Sequence, residues 1–171
     1  AARVQQREPS INNVIGFVDG VSLPIQCSED QAEQDANYNG YYHDTRCNNV
    51  FAFSSVGKII YACMNYPGSW HDSAVSAYLV RKAIKDLDPY ALCVDKGFPR
   101  SGDLFDRFVG PFSKKSARKL SPILKRRLLE RANVYTSLRQ ASEWGMRALQ
   151  GSFARLKTRL TSDKRKRFDL I

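Results

Sequence analysis

The stretch "NNVFAFSSVGKIIYACMNYPGSWHDSAV", residues 48–75, indicates the fold class more clearly than any other part of the chain. Two apolar runs rich in aromatic and β-branched residues flank a Ser-Ser-Val-Gly turn at 54–57, which predicts a β-hairpin. After a Pro-Gly pair, Asp72 or Ser73 can cap a helix over residues 73–87. A hairpin followed by a helix is typical of a mixed α/β domain.

Further strands and helices are predicted on either side of this stretch. The run "NVIGFVDG" at 13–20 predicts a buried strand, and "PYALCVDKGFP" at 89–99 predicts a fourth one. The segment 121–160 has a helical pattern, in which two glycines are candidate breaks. A chain of this length suits one domain. We therefore predict a single α/β domain over residues 1–171, with a mixed central sheet flanked by helices.

Charge is distributed unevenly along the chain. Residues 1–110 contain 10 Lys and Arg against 13 Asp and Glu, a balance of −3, whereas residues 111–171 contain 17 against 4, a balance of +13, so that the sum is +10. A polyanion that neutralises such a segment releases counterions, so this basic and helical C-terminal third predicts nucleic-acid binding. The alternative is a solvated helix surface. The residues that we expect to contact DNA phosphate are Lys114, Lys115, Arg118, Lys119, Lys125, Arg126 and Arg127.

Several protein classes are disfavoured by the composition. No stretch approaches the ~18 consecutive apolar residues of a membrane span, so we expect no membrane partner. The four cysteines lie far apart without a CxxC pair, and only two histidines could join them, which disfavours a zinc site. The chain begins with Ala and has no charged-then-apolar leader, which is typical of a fragment of a longer chain.

Acidic residues end two of the predicted strands. They are Asp19 and Asp95, and the long predicted helix contains a third acid, Glu143. Reactive groups in α/β sheets gather beyond the ends of central strands, so the two aspartates would lie side by side if their strands are neighbours. Converging carboxylates repel one another unless a cation lies between them, and oxygen ligands suit Mg²⁺ or Mn²⁺. We predict that these three acids are catalytic and bind two divalent ions, about 3.5–4 Å apart, that promote phosphodiester cleavage.

Four blocks of the sequence also carry a family resemblance. They are "GFVDGV" at 16–21, "YNGYYHDTRCNNVFAFSSVGKIIYACMNYPGSWHDS" at 38–73, "VDKGFP" at 94–99 and "RQASEWGMRALQGSFARLK" at 139–157. In this order they resemble the catalytic domain of DDE superfamily endonucleases, specifically the Harbinger-type (PIF/Harbinger) transposases. The resemblance implies an RNase H-like fold and metal-dependent DNA cleavage followed by strand transfer. It also implies that recognition of transposon ends can depend on an accessory DNA-binding protein or on residues before Ala1.

The same resemblance assigns roles to individual aspartates. The first aspartate of the family's acidic triad corresponds to Asp19, and the second corresponds to Asp95, where Phe98 replaces the usual tyrosine. The block "PGSWHDS" makes Asp72 a further candidate metal ligand, with His71 beside it. The alternative for Asp72 is a helix cap.

The third acid of the triad has two possible positions. Matching "FARLK" to the family pattern puts Gln150 where a glutamate is usual, whereas the signature "EWGMRALQGSF" assigns that place to Glu143, seven positions earlier on nearly the same helix face. We predict Glu143, with a surface ion pair to Arg139 or Arg147 as the alternative. A neutral Gln150 in that place would instead indicate a domesticated, catalytically inactive DNA-binding or protein-interaction module.

Two further motifs bear on function. Tyr41, Tyr42 and His43 are candidate DNA contacts on a loop, whereas the alternation in "VFAFS" at 50–54 predicts core phenylalanines. The run "DKRKR" at 163–167 resembles a nuclear import signal, so we expect the nucleus. The expected function is a metal-dependent DNA endonuclease with transposase-type cleavage and strand transfer. The alternatives are the inactive module and a nuclease of the same fold that acts on RNA or structured DNA.

Overall fold

A mixed six-stranded sheet flanked by helices organises the chain. The computed structural model describes residues 1–7, 9, 11, 13–98, 107–111 and 121–169. Its strands are β1 (Val14–Pro24), β2 (Tyr38–Asn39), β3 (Asp44–Ser54), β4 (Ile59–Pro67), β5 (Ala91–Cys93) and β6 (Phe108–Val109). Its helices are α1 (Ala2–Arg7), α2 (Gln31–Asn37), α3 (Asp72–Asp86), α4 (Pro122–Ser152) and α5 (Lys164–Phe168), with a short 3₁₀ helix at Ala154–Lys157.

The central strand of the sheet is β1. It pairs antiparallel with β3 and parallel with β5, and β5 pairs parallel with β6. On its other edge, β3 pairs antiparallel with β4, as the predicted hairpin requires, and its first residues pair with the short β2. This mixed sheet confirms the predicted fold class and is consistent with the RNase H-like fold that the resemblance implies.

The pairing of β1 with β5 contains one irregularity. Val14 lies opposite Ala91, but Gly16 lies opposite Leu92, so Ile15 is an additional residue in β1. An additional residue of this kind is a β-bulge. After the bulge, β1 and β5 pair residue by residue, with Phe17 opposite Cys93.

The two faces of the sheet pack against different helices. On one face Val18 and Val94 pack with Val75 of α3. On the other face Phe53 packs with Met146 of α4. The phenylalanines at 51 and 53 are 3% and 1% exposed, which confirms their predicted place in the core. The helix α4 therefore covers the face opposite to the one that α3 covers.

The prediction that the first strand ends at Asp19 and Gly20 was wrong, because β1 stays paired with β3 as far as Pro24 and Asp19 lies within the strand. Two other predicted elements are shorter than expected. The fourth strand is ordered as β5 only over Ala91–Cys93, because the chain then turns, with the Phe98 amide bonded to the Asp95 carbonyl. The long helix starts at Pro122, where the Ser121 side chain accepts a hydrogen bond from the Leu124 amide. It ends at Ser152, directly after one of the glycines predicted as a break.

The segment after α4 is tied back to the sheet. Arg159 donates to the Ile25 carbonyl at 2.9 Å and forms an ion pair with Asp44 at 2.8 Å. Leu160 pairs with Ile25 as an isolated β-bridge. Arg167 is 2% exposed and donates to Asn65 Oδ1 at 2.7 Å.

None of the helices in the described part of the chain has both the length and the apolar character that a membrane span requires.

Candidate active site

Asp19 and Asp95 belong to chain segments that meet through the parallel pairing of β1 with β5. Phe17 lies opposite Cys93 in the register of β1 and β5, and each aspartate follows its paired residue by two positions. Side chains two residues apart in a strand project from the same face. Phe17 and Cys93 share one hydrophobic cluster. Asp19 therefore lies within β1, and Asp95 follows the carboxyl end of the neighbouring parallel strand β5, each two residues beyond a paired residue.

The Asp19 carboxylate is oriented by the chain that follows it. The Gly20 amide donates to Asp19 Oδ1 at 3.0 Å, and the residue is half-buried. A carboxylate that accepts a backbone N–H bond is held in one orientation. One oxygen of Asp19 is thereby fixed within β1.

Gly20 also allows a second aspartate to approach. A Cβ atom built on Gly20 would lie 2.7 Å from the Asp72 carboxylate, which is closer than real side chains pack. Burial, and then the negative charge of Asp95, raise the pKa of Asp72, while the neighbouring His71 opposes the shift. Asp72 is therefore close enough to Asp95 for their charges to repel. Asp72 is the first residue of α3, so it lies inside the helix instead of occupying the capping position before it.

Glu143 lies on the helix that crosses the Asp19 face of the sheet. It is exposed, and Met146, one turn later, packs against Phe51, which is the β3 partner of Asp19. Gln150 is half-buried two turns after Glu143. The neighbouring Leu149 joins the same hydrophobic cluster as Met146. Both candidate positions for the third acid thus lie on the part of α4 that covers this face.

The described residues fit a divalent cation in their chemistry. Within the described ranges, no three His, Cys, Asp or Glu side chains form a group that could hold one metal ion. Mg²⁺ keeps several waters and needs only one or two carboxylates. Asp19 and Asp95 supply hard oxygen donors on neighbouring strands. The pKa of Asp72 is raised by burial and then by the negative charge of Asp95, and a cation would offset that charge.

The predicted DNA-contact residues divide into two sets. Lys114, Lys115, Arg118 and Lys119 lie outside the described residues. Lys125, Arg126 and Arg127 are exposed on the first turns of α4, and Arg126 forms an exposed ion pair with Glu130 at 3.1 Å. The described set is therefore accessible to a polyanion.

Some residues of the basic run at 163–167 make contacts that stabilise the fold. Asp163 caps α5 by accepting hydrogen bonds from the amides of Arg165 and Lys166, and Arg167 is buried. Lys164, Arg165 and Lys166 remain exposed. In the folded domain, the run therefore presents three basic side chains in a helix.

Two features of this region escaped the sequence analysis. Gly20 is the residue over which Asp72 packs, and Asn48 lies in the wall of a neighbouring cleft. The only sequence signal for the first was the glycine directly after Asp19. The second had no signal, because an asparagine within an apolar alternating run is not distinctive.

Comparison with known proteins gives one match. A family model described as DDE superfamily endonuclease matches residues 18–171, which is all but the first 17 residues. No curated protein and no solved structure gave a significant match. The matched range contains Asp19, Asp72, Asp95 and Glu143.

Proposed function

The chain belongs to the DDE superfamily endonuclease family, and we propose that it is a metal-dependent DNA nuclease of the Harbinger transposase type. In this proposal it cuts a DNA phosphodiester bond and transfers the freed end to another strand. The family supports the nuclease class. The acidic residues on β1, after β5 and at the start of α3 support the dependence on metal.

The observation that carries the proposal is the matched position of Asp19 and Asp95. Each stands two residues beyond the paired Phe17 and Cys93 on neighbouring parallel strands. Ligands and reacting groups in open α/β sheets lie beyond the carboxyl ends of the strands. Two acids on neighbouring strands supply hard oxygen ligands, which suit a site for a doubly charged ion.

Asp19, Asp95 and Glu143 would hold two Mg²⁺ or Mn²⁺ ions, with Asp72 as a further ligand, and the ions would supply charge stabilisation to the phosphate oxygens. The chain itself orients these groups. The Gly20 amide fixes one oxygen of Asp19, and the absence of a side chain at position 20 lets Asp72 approach. The packing of α4 on the sheet determines where Glu143 stands.

The basic residues hold the substrate in this proposal. Lys125, Arg126 and Arg127 project from exposed turns of α4, and the predicted contacts at 114–119 precede that helix along the chain. Contacts to phosphate position DNA without reading its sequence. We therefore assign the recognition of DNA ends to an accessory DNA-binding protein, and we place the reaction in the nucleus.

A catalytically inactive DNA-binding or protein-interaction module is the second candidate. It is favoured by the exposure of Glu143 and by the lack, among the described residues, of a three-residue acidic group that could hold a metal. In that case Gln150 would occupy the position of the third acid. The basic flank would still bind DNA.

A plasmid-nicking assay tests the proposal. Wild-type protein is expected to nick supercoiled DNA with Mg²⁺ or Mn²⁺ and not with EDTA, and Asp19→Asn or Asp95→Asn is expected to lower the rate roughly a hundredfold or more, because charge stabilisation at the reacting phosphate is lost. Asp169→Asn, at an exposed aspartate in the C-terminal segment, is the matched control and should nick like wild type. Wild-type protein that binds DNA but leaves it intact with both metals would favour the inactive module.

The same assay identifies the third acid. Glu143→Gln should abolish nicking if Glu143 is a ligand, because the amide removes the negative charge. The double variant Glu143→Gln with Gln150→Glu moves the carboxylate two turns along the same helix face. Activity restored by the double variant would show that Gln150 lies at the metal site.

A further inference from the structure

A cleft of about 440 Å³ opens beside Asp72. Its walls come from the loop at 38–42, from the turn at 69–72, and from Gly20, Ser22 and Asn48 of the sheet. A volume of this size suits a small organic group the size of a nucleotide base and sugar. The cleft therefore lies directly against the proposed active site.

Aromatic side chains dominate the rim of the cleft. Tyr41 is 86% exposed, and Tyr38, Tyr42 and Trp70 are also exposed. Tyr41 and Tyr42 meet edge to face with their ring centres 5.0 Å apart, so their planes are almost perpendicular. Exposed aromatic faces of this kind serve as stacking platforms for unpaired bases.

A buried acceptor in the wall of the cleft lacks a donor. Asn48 is 4% exposed, and its Nδ2 donates to the Gly68 carbonyl at 3.2 Å and to the Trp70 carbonyl, which fixes the orientation of the amide. Among the residues that the structure describes, no group donates to Asn48 Oδ1. Oδ1 itself is covered in this structure, so an N–H group of a ligand reaches it only after the wall of the cleft shifts, and the contact would then satisfy a costly buried acceptor.

The charges around the cleft select the part of the ligand that enters. The Asp72 carboxylate lies in its wall and repels phosphate. Outside, the Arg46 guanidinium stacks over the Tyr42 ring at 4.2 Å. It lies 3.4 Å from Asp44, which also pairs with Arg159 at 2.8 Å, so the two arginines and the aspartate together leave one net positive charge beside the rim. The group that enters must be neutral, flat and able to donate an N–H bond, while a phosphate can remain near Arg46.

We infer that this cleft binds an unpaired nucleobase of the DNA substrate, stacked on Tyr41 and Trp70 and hydrogen-bonded to Asn48 Oδ1. Every nucleobase carries an N–H donor on its Watson–Crick edge, and that edge is free only in an unpaired base. The inference rests on the proposed function, because it names the part of the DNA that the same site holds. It places a single-stranded nucleotide beside Asp72.

Binding of a duplex with a single-stranded overhang in EDTA tests the inference without cleavage. The probe carries 2-aminopurine in the overhang, and stacking in the cleft should quench its fluorescence. Tyr41→Ala should remove the quenching and weaken overhang binding about five- to a hundredfold, as expected for one lost stack, while binding of a blunt duplex stays unchanged. Tyr41→Phe retains the ring and should behave like wild type. Tyr90→Ala, at an exposed tyrosine outside the cleft, is the matched control.

An abasic nucleotide at the quenched position should weaken binding as much as Tyr41→Ala. Equal affinity for the abasic and intact overhangs would overturn the inference, and so would unchanged affinity of both Tyr41→Ala and Trp70→Ala for the overhang. A probe whose fluorescence is not quenched on binding would overturn it as well, and the cleft would then be free to bind a protein segment. The result is separable from the nuclease proposal. Quenching without metal-dependent nicking would overturn the nuclease alone, and nicking without quenching would overturn the base-binding cleft alone.

Discussion

At the scale of single residues, the candidate site depends on a glycine. Gly20 follows Asp19, and its missing side chain leaves the space that the Asp72 carboxylate fills. The residue therefore lets the start of α3 approach the middle of β1, and it brings an acid from each into the same region. Side-chain size at position 20 is as important to the site as the charges themselves.

Replacing Gly20 with Ala should disturb both stability and cleavage. The new Cβ would lie 2.7 Å from the Asp72 carboxylate, so α3 or the carboxylate must shift. We expect a loss of about 1–3 kcal/mol in the free energy of unfolding, as for overpacking elsewhere, together with reduced nicking. Thermal unfolding and the plasmid assay measure the two effects. Gly97→Ala is the control, because a Cβ there meets nothing within 4 Å. Equal stability of both variants with wild type would contradict the close approach.

The raised pKa of Asp72 predicts how stability depends on pH. In the folded state the carboxyl binds its proton more tightly than its ordinary value of 3.8 implies, because burial and Asp95 disfavour the charge. The native state then holds more protons than the unfolded state above pH 3.8, so the free energy of unfolding falls as pH rises through that window and stays lower at neutral pH.

Asp72→Asn removes this charge and should therefore be more stable than wild type at pH 7 in EDTA. We expect the melting temperature to rise by roughly 2–4 °C for each 1 kcal/mol of relief. The advantage should shrink below pH 3.8, where the wild-type carboxyl is protonated, and added Mg²⁺ should stabilise the wild type more than the variant. Melting curves with and without Mg²⁺ check both expectations. A variant less stable than wild type at pH 7 would refute the repulsion.

At the scale of elements, α4 connects the acidic site to the basic surface. Its first turns are exposed and carry Lys125, Arg126 and Arg127, whereas its later turns pack on the sheet through Gly145 and Met146. The helix is 31 residues long, so it extends from the predicted DNA contacts to the sheet. The packing of α4 on the sheet therefore determines where the basic surface lies relative to the acidic site.

Gly145→Ala tests how α4 packs on the sheet, because packing and helix propensity predict opposite changes in stability. Alanine normally stabilises a helix interior relative to glycine by about 1 kcal/mol, but a Cβ at 145 would lie 2.8 Å from the Phe53 ring. We expect Gly145→Ala to destabilise the protein, because the clash outweighs the helix propensity. Gly151→Ala, where a Cβ meets nothing, should be neutral or stabilising. Urea unfolding of both variants measures the difference, and two variants of equal stability would argue against the contact.

At the scale of the whole molecule, an acidic site and a basic flank divide the charge of the chain. The excess of +13 in residues 111–171 is larger than the net charge of +10, so the rest of the chain is slightly acidic. DNA that binds the basic segment 111–171 would release its condensed counterions, and this release favours binding. The affinity for DNA should then depend steeply on salt.

Neutralising the described contacts should lower that salt dependence. Each phosphate contact adds about 0.9 to the slope of log affinity against log salt, so replacing Lys125, Arg126 and Arg127 with Ala should reduce the slope by up to about 2.7. Lys58→Ala, at the exposed turn between β3 and β4, is the control and should leave the slope unchanged. Fluorescence anisotropy across a salt series provides the measurement. An unchanged slope in the triple variant would remove this part of α4 from the DNA interface.

Sequence patterns were sufficient for the parts of the fold that rest on local chemistry. The hairpin and the start of α4 at a Ser-Pro pair follow from apolar runs and caps. The strand end predicted at Asp19 was wrong, because pairing with β3 carries β1 on to Pro24. Strands of two residues, such as β2 and β6, carry no periodicity and could not be predicted. The approach of Asp72 to Gly20 depends on tertiary packing between residues 52 positions apart in the chain, which no local pattern encodes.

The additional residue in β1 has a consequence for how this chain can change. If Ile15 were paired instead of bulged, the step from Val14 opposite Ala91 would bring position 18 level with Asp95, and Asp19 would project from the wrong side. The bulge therefore takes up one extra residue and keeps Asp19 opposite Phe51 of β3 while Phe17 stays opposite Cys93 of β5. Deleting Ile15 would remove the bulge and still leave Val14 opposite Ala91 and Gly16 opposite Leu92, so the strand can lose one residue there without displacing the first acid.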